Sequence, residues 1–235
     1  FHANHYQPGD PVPTIAGKFD PATTPAAVAR YFGAIAKPTR VLPRLYTVEP
    51  VQDGERTVTV RRVASAQWLG ALFHLPQGAN PDATAFEALA EIMTVEPAGR
   101  LYKALVEGKK ASSVENWTFA QHDAGFVIFW AQVPADQSID AARDTLLATL
   151  YDVSAHPITA AELERVRVKA QKDFDDTIND PQQMAVALAD SIAEGDWRLF
   201  FINRDRWRKL TPSDVTRVGT EYLKASNLPP GEFLH

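Results

Sequence analysis

Apolar positions in this chain change their spacing from one stretch to the next, and the changes mark its elements. Residues 57–63 and 66–75 are rich in β-branched and other apolar side chains, which is the composition of strands. Residues 112–120 and 125–133 form a second such pair, expected to run antiparallel across a turn at 121–124. Between the pairs, Asn80-Pro81 opens a helix in which Phe86, Leu89, Ile92 and Met93 recur at helical spacing. A shorter helix with Leu101, Tyr102 and Leu105 is predicted over residues 99–107. Beyond residue 138 the pattern is helical throughout. Ile139, Ala142, Leu146, Leu150 and Val153 fall on one stripe, and Leu163, Val166, Ala170, Phe174 and Ile178 fall on another. Thr159-Ala160-Ala161-Glu162 has the form of a capping box, in which hydroxyl and carboxylate satisfy free backbone N–H groups. Asp180-Pro181 and Thr211-Pro212-Ser213-Asp214 start two more helices, and residues 197–207 keep helical character.

The opening stretch is patterned differently. Residues 1–6 read as a helix end, and Pro8-Gly9-Asp10-Pro11 is a turn. Residues 12–19 are a strand candidate weakened by Pro13. Asp20-Pro21 or Thr24-Pro25 then starts a helix carrying Ala27, Val28, Tyr31 and Phe32, with Gly33 near its end. Pro38, Pro43 and Pro50, closed by Gly54, make residues 36–54 a linker. The expected organisation is a closing strand and helix of a preceding domain (1–35), the linker, a main domain (55–226), and a tail or start of a closing strand (227–235). Gly17-Lys18-Phe19 and Gly231-Glu232-Phe233 form a faint repeat consistent with that division. Strands and helices first, then helices alone, predict an α+β fold with an antiparallel sheet and helices packed on one face.

Composition narrows the chemistry. The chain has no Cys, which removes disulfides, thiolate metal sites and Cys nucleophiles. With 24 Lys+Arg against 29 Asp+Glu, the net charge of −5 disfavours nucleic acid and anionic lipid as partners, and the Arg/Trp-rich stretch around Trp197 and Trp207 reads as helix packing. No apolar run reaches the roughly 20 residues of a spanning helix. Neither His-Glu-x-x-His nor His-x-x-Glu-His occurs, so His2 and His5 read as ordinary residues at a helix end and no metal site is expected. His74 reads as a packed strand residue and His156 as a turn residue. Asp173, Asp175 and Asp176 read as a solvated helix face. Serine-elbow, dinucleotide and phosphate-loop motifs are missing as well.

The segment Gly99-Arg100-Leu101-Tyr102-Lys103-Ala104-Leu105-Val106-Glu107 resembles the Ser-Arg-Leu-Tyr-x-x-Leu-Arg-Glu stretch of the pitrilysin/insulinase family of zinc metallopeptidases. The opening Phe1-His2-Ala3-Asn4-His5-Tyr6-Gln7-Pro8, the run Ala16-Gly17-Lys18-Phe19-Asp20-Pro21 and residues 159–169 resemble further stretches of that family in the same order. The resemblance implies tandem α+β domains, the first holding zinc through His-x-x-Glu-His and the second closing over the substrate without a metal. This chain then corresponds to the non-catalytic, substrate-enclosing domain with a remnant of the preceding one. Opening on Phe1, it reads as a piece of a longer protein whose zinc motif lies upstream. Alone, the piece is expected to have no metal, no cofactor and no activity. The implied partners are the catalytic domain of the parent chain or a separate catalytic subunit, and a peptide substrate. An inactive scaffold or partner subunit on the same fold is the alternative, and the periplasm is the location that the resemblance suggests.

The family also places an Arg and a Tyr on this domain to hold substrate. Their positions fall here on Val106 and Ser112, neither of which can replace the original donor. That leaves Lys109, Lys110, Ser112 and Ser113 as the substrate-facing candidates.

Overall fold

The computed structural model describes Tyr6 and residues 12–36, 39, 41, 58–60 and 65–227. Three antiparallel strands, β1 (Ala66–Gln77), β2 (Ser113–Phe119) and β3 (Ala124–Pro134), lie in the spatial order β1-β3-β2. The register pairs Phe73 with Val127 and Val127 with Thr118, so rows of three side chains cross the sheet. Side chains alternate between faces along each strand. One face therefore gathers Leu69, Ala71, Phe73 and Leu75 with Val127, Phe129, Ala131 and Val133, all buried. At β2 this layer turns polar. Asn116 is satisfied there by donating to Thr94 Oγ1 at 2.6 Å, which ties the strand to the helix above it.

That helix is α2 (Pro81–Thr94), and it is the centre of the domain. Asn80 caps it by accepting from the Asp82 N–H at 2.9 Å, and Pro81 occupies the first turn, where its missing N–H costs nothing. Nine of its 14 residues are buried, because it packs on β1 and β2 below and on later helices above. A helix apolar on most of its circumference has to be enclosed in this way. Each fully buried Phe or Leu contributes about 1.5–3 kcal/mol of transfer free energy.

The remaining helices are α3 (Ile139–Tyr151), α4 (Ala160–Asn179), α5 (Pro181–Ala193), α6 (Leu199–Lys209) and α7 (Pro212–Tyr222). Capping boxes form at Thr159/Glu162 and Thr211/Asp214, and Asp180 caps α5 through Gln182 and Gln183. Each cap is worth about 0.5–2 kcal/mol. The α3 stripe is buried from Ala142 through Leu146 and Leu150 to Val153 just beyond the helix, with Ile139 at its start only partly buried. On α4 only Leu163 and Val166 are buried, and Ile178 is 45% exposed, because this 20-residue helix outruns the layer beneath it.

Three expectations need correction. Residues 99–107 do not form an ordinary α-helix: Tyr102–Glu107 is a π-helical segment, with Gly108 N–H reaching the Lys103 carbonyl and Lys110 N–H the Leu105 carbonyl. The wide turn keeps Leu101 and Leu105 both fully buried. The chain enters it past Gly99, where any Cβ would lie 2.7 Å from the Met93 carbonyl oxygen. Residues 12–19 join no strand ladder among the described residues; Pro13 lacks a donor and no described strand lies alongside. Of the expected strand 57–63, residues 58–60 are described and are not in a strand, and the others lie outside the described residues. His2, His5, most of the linker and residues 228–235 also lie outside them. Helix α1 (Thr24–Phe32) forms as expected, yet Tyr31 and Phe32 are 71% and 58% exposed.

Candidate functional site

The π-helical segment ends in a tight turn that delivers the chain to β2, and the four candidate residues lie on this path. Lys109 is exposed and takes a left-handed backbone conformation (φ 56°). Lys110 is turned inward: its Nζ donates to Thr145 Oγ1 of α3 at 2.5 Å. Ser112 is bound to β3 through both its N–H (2.8 Å) and its hydroxyl (3.1 Å), each donating to the Gln132 carbonyl. Ser113 begins β2 opposite Gln132. Lys110 and Ser112 thus anchor the turn, with Lys109 and Ser112 exposed and Lys110 and Ser113 half-buried. Val106 packs against the core.

Ser113 belongs to the sheet face turned away from α2. The register sets four rows across that face: Trp68, Gln132 and Ser113; Gly70, Trp130 and Glu115; Leu72, Ile128 and Trp117; His74, Phe126 and Phe119. Aromatic rings dominate it. Trp117 lies 4.6 Å from Phe119 and 6.3 Å from Trp130, Trp130 lies 5.7 Å from Trp68, and Phe119 stacks on Phe126 at 4.5 Å. Unlike the opposite layer, this face is only partly covered, and Trp117 is 53% exposed. Among the described residues the indole N–H of Trp130 has no hydrogen-bond partner, although a buried indole N–H ordinarily finds one. At its rim β2 pairs only with β3 among the described residues, so alternate backbone N–H and C=O groups point outward. Such a surface binds extended polypeptide well: the edge supplies backbone hydrogen bonds and the rings supply apolar contact.

This face went unnoticed in the sequence, although a signal was there. Residues 125–131 of β3 are apolar on both alternating positions, the mark of a strand covered on both sides.

Two sequence stretches singled out above meet in space. Arg100 grips Glu162 through Nε–Oε1 (2.7 Å) and Nη2–Oε2 (2.9 Å), and also donates to the carbonyls of His156 and Pro157. Burial pushes the Glu162 carboxyl up, but the bonds from Arg100 and from the Thr159 backbone and hydroxyl outweigh it and bring the pKa to about 2. Arg100 and Glu162 therefore staple the π-helical segment to the start of α4. Their part is structural, and it holds the turn that presents Ser113.

Among the described residues no group of three or more His, Asp or Glu could hold a metal ion. His74 lies on β1, while His122 and His156 occupy separate exposed loops, each beside one Asp. This donor set does not fit a zinc centre. No described helix is long and apolar enough to cross a membrane.

Residues 1–169 match the sequence profile of the peptidase M16 inactive domain. The chain is 24% identical over 227 residues to the zinc protease PqqE of Helicobacter pylori, covering 95% of this chain and 51% of that protein. It therefore spans about half the length of this curated relative. Among solved structures, the inactive peptidase domain from Bordetella parapertussis is 40% identical with a TM-score of 0.69, over 75% of this chain and 94% of that one. A protease from Helicobacter pylori superposes with a TM-score of 0.86 at 22% identity, over 93% of this chain and 53% of that chain, a likeness of fold.

Proposed function

The chain belongs to the peptidase M16 inactive-domain family, and from that premise we propose that it is the peptide-enclosing wall of a zinc protease whose metal is held elsewhere. The observation that carries this reading is the half-covered aromatic face bordered by the outer edge of β2. An enclosed peptide lies along it in extended form, with alternate side chains against Trp117 and Phe119 and its backbone toward the β2 edge. Lys109 and Ser113 sit at the entry to that path, and Lys110 and Ser112 hold them in position. The zinc-bearing half supplies the cleaving chemistry, and this chain supplies none of it. Residues 12–36, whose apolar side chains are largely exposed, complete a neighbouring domain.

The test is to incubate chain 1–235 with an unstructured peptide that carries a photo-crosslinking side chain, with zinc added. The proposal expects crosslinks to β2 and β3 and an intact peptide by mass spectrometry. Chelator-sensitive cleavage by this chain alone, or crosslinks spread evenly over the surface, would overturn it.

A further inference from the structure

Two neighbouring cavities flank the inner side of the α2 and α6 helices, and they share Glu87, Glu194 and Asn203 as walls. The larger, about 660 Å³, opens beside the aromatic face, with Trp117 and Phe119 among its lining. The smaller, about 300 Å³, runs between α2, α4 and α6. Their charges do not balance. In the larger cavity Glu87, Asp190 and Glu194 face no Lys or Arg on the lining. The smaller has basic residues, but each makes its ion pair or hydrogen bond with another group, and Lys169 acts on Glu87 only through space. Lys169 bridges Glu91 (3.3 Å) and Asp173 (3.1 Å), Arg167 is bound to Glu164, Arg204 to Asp205, and Arg208 to Gln171. Among the described residues neither Glu87 nor Glu194 has an ion pair; Glu87 accepts only the Trp207 indole N–H, at 3.1 Å.

A second observation is independent of the acids. Ser191 on α5 is only 7% exposed, lines the smaller cavity and makes no side-chain hydrogen bond among the described residues. Of the other buried hydroxyls, Thr84 and Thr94 are bonded, while Thr118 Oγ1, in the lining of the larger cavity, has no partner among the described residues. Gly78 helps to keep the larger cavity open, since a Cβ there would come within 3.2 Å of Glu194 Oε2. Burial raises the pKa of both carboxyls; at Glu87 the Trp207 hydrogen bond opposes it while the Glu91 and Glu194 charges add to it, and at Glu194 the Asp190 charge adds to it, so a bound cation would draw both back toward the charged form.

We infer that these cavities form a pocket for an organic cation, an alkylammonium or guanidinium on an apolar stem. Glu87 and Glu194 take the charge, Ser191 supplies a neutral acceptor, and the rings at the mouth cover the stem. An ammonium has three donors and no acceptor, and the two carboxylates and the Ser191 hydroxyl oxygen can accept all three. Aromatic walls favour a cation further. On the peptide-wall reading, which this inference extends, the guest is a Lys or Arg side chain of the enclosed peptide; the same chemistry occurs in free diamines.

Calorimetric titration of chain 1–235 separates these cases, using an acetylated tetrapeptide containing one Lys, its norleucine counterpart, and pentane-1,5-diamine. The Lys peptide should bind at least tenfold more tightly than the norleucine peptide. Glu87→Gln and Glu194→Gln should each remove about tenfold of that affinity, equivalent to about 1.4 kcal/mol, and Ser191→Ala about threefold by the same scale. Circular dichroism checks the fold of each variant; Glu194, being closer to the surface, keeps the test valid if Glu87→Gln unfolds the chain. Equal binding of the two peptides, unchanged affinity in the folded Gln variants, or no binding of any probe would overturn the inference. Glutamate-dependent binding of the diamine with neither peptide bound would uphold the cation pocket and contradict the peptide wall.

Discussion

The two faces of the sheet are made by the same three strands, often by adjacent residues, yet they are covered very differently. Phe129 is fully buried against the helical layer and meets Phe73 edge-on at 6.4 Å. Its neighbour Trp130 points the other way, into a row of rings that nothing in the helical layer covers. The buried face mixes aliphatic and aromatic groups packed for density. The other is richer in flat rings and carries Glu115, Ser113 and Gln132 among them. Stability is concentrated on the first face, and the second leaves apolar area exposed, the area that the proposed peptide would cover.

Substitutions on each side test that division. Phe129→Ala should have the largest effect, costing about 3–5 kcal/mol of unfolding free energy because it leaves a cavity in a dense layer. Thermal or urea denaturation measures it, and a loss below about 1 kcal/mol would break the comparison. Glu162→Gln, in the staple behind the helical layer, should cost about 2 kcal/mol at neutral pH once the partial exposure of the pair is discounted. The sign follows from a folded pKa of about 2 against an ordinary 4.5. The contribution is complete above pH 4.5 and is lost as pH falls toward 2, so the variant's melting temperature should converge on the parent's in acid. A gap between them that persists unchanged below that window would contradict the staple. Trp117→Ala should have the smallest effect on stability, about 1 kcal/mol or less, since it gives up ring contacts at a half-exposed site. Its binding of an extended peptide should nonetheless fall about thirtyfold, the loss expected of a buried aromatic anchor. Unchanged peptide affinity in Trp117→Ala would sharpen the comparison against the proposed role.

Most elements between residues 66 and 222 are legible in the sequence because their signals are local. Asn80, Thr159, Asp180 and Thr211 cap the helices they were expected to start, and the period of 3.6 separates α3 and α4. What was not legible depends on distant partners. Arg100 and Glu162 stand 62 residues apart, and nothing in either neighbourhood says that they pair. The π-helical widening over Tyr102–Glu107 rests on hydrogen bonds to carbonyls five residues back, which no periodicity records. Of the candidate site, the sequence singled out Lys109, Lys110, Ser112 and Ser113 but not the bonds of Lys110 to Thr145 and of Ser112 to Gln132, and the aromatic face beside them follows from the register. The cavity shared by Glu87 and Glu194 joins a helix interior to a helix end across more than a hundred residues of chain.

The central claim is that a peptide settles on the β2 rim and its aromatic face. Hydrogen–deuterium exchange of chain 1–235, read amide by amide with and without an excess of unstructured peptide, tests it most directly. Slowed exchange confined to β2 and the adjoining end of β3, with α2 unchanged, is the predicted result; unaltered exchange along residues 113–119 in the presence of bound peptide would contradict it.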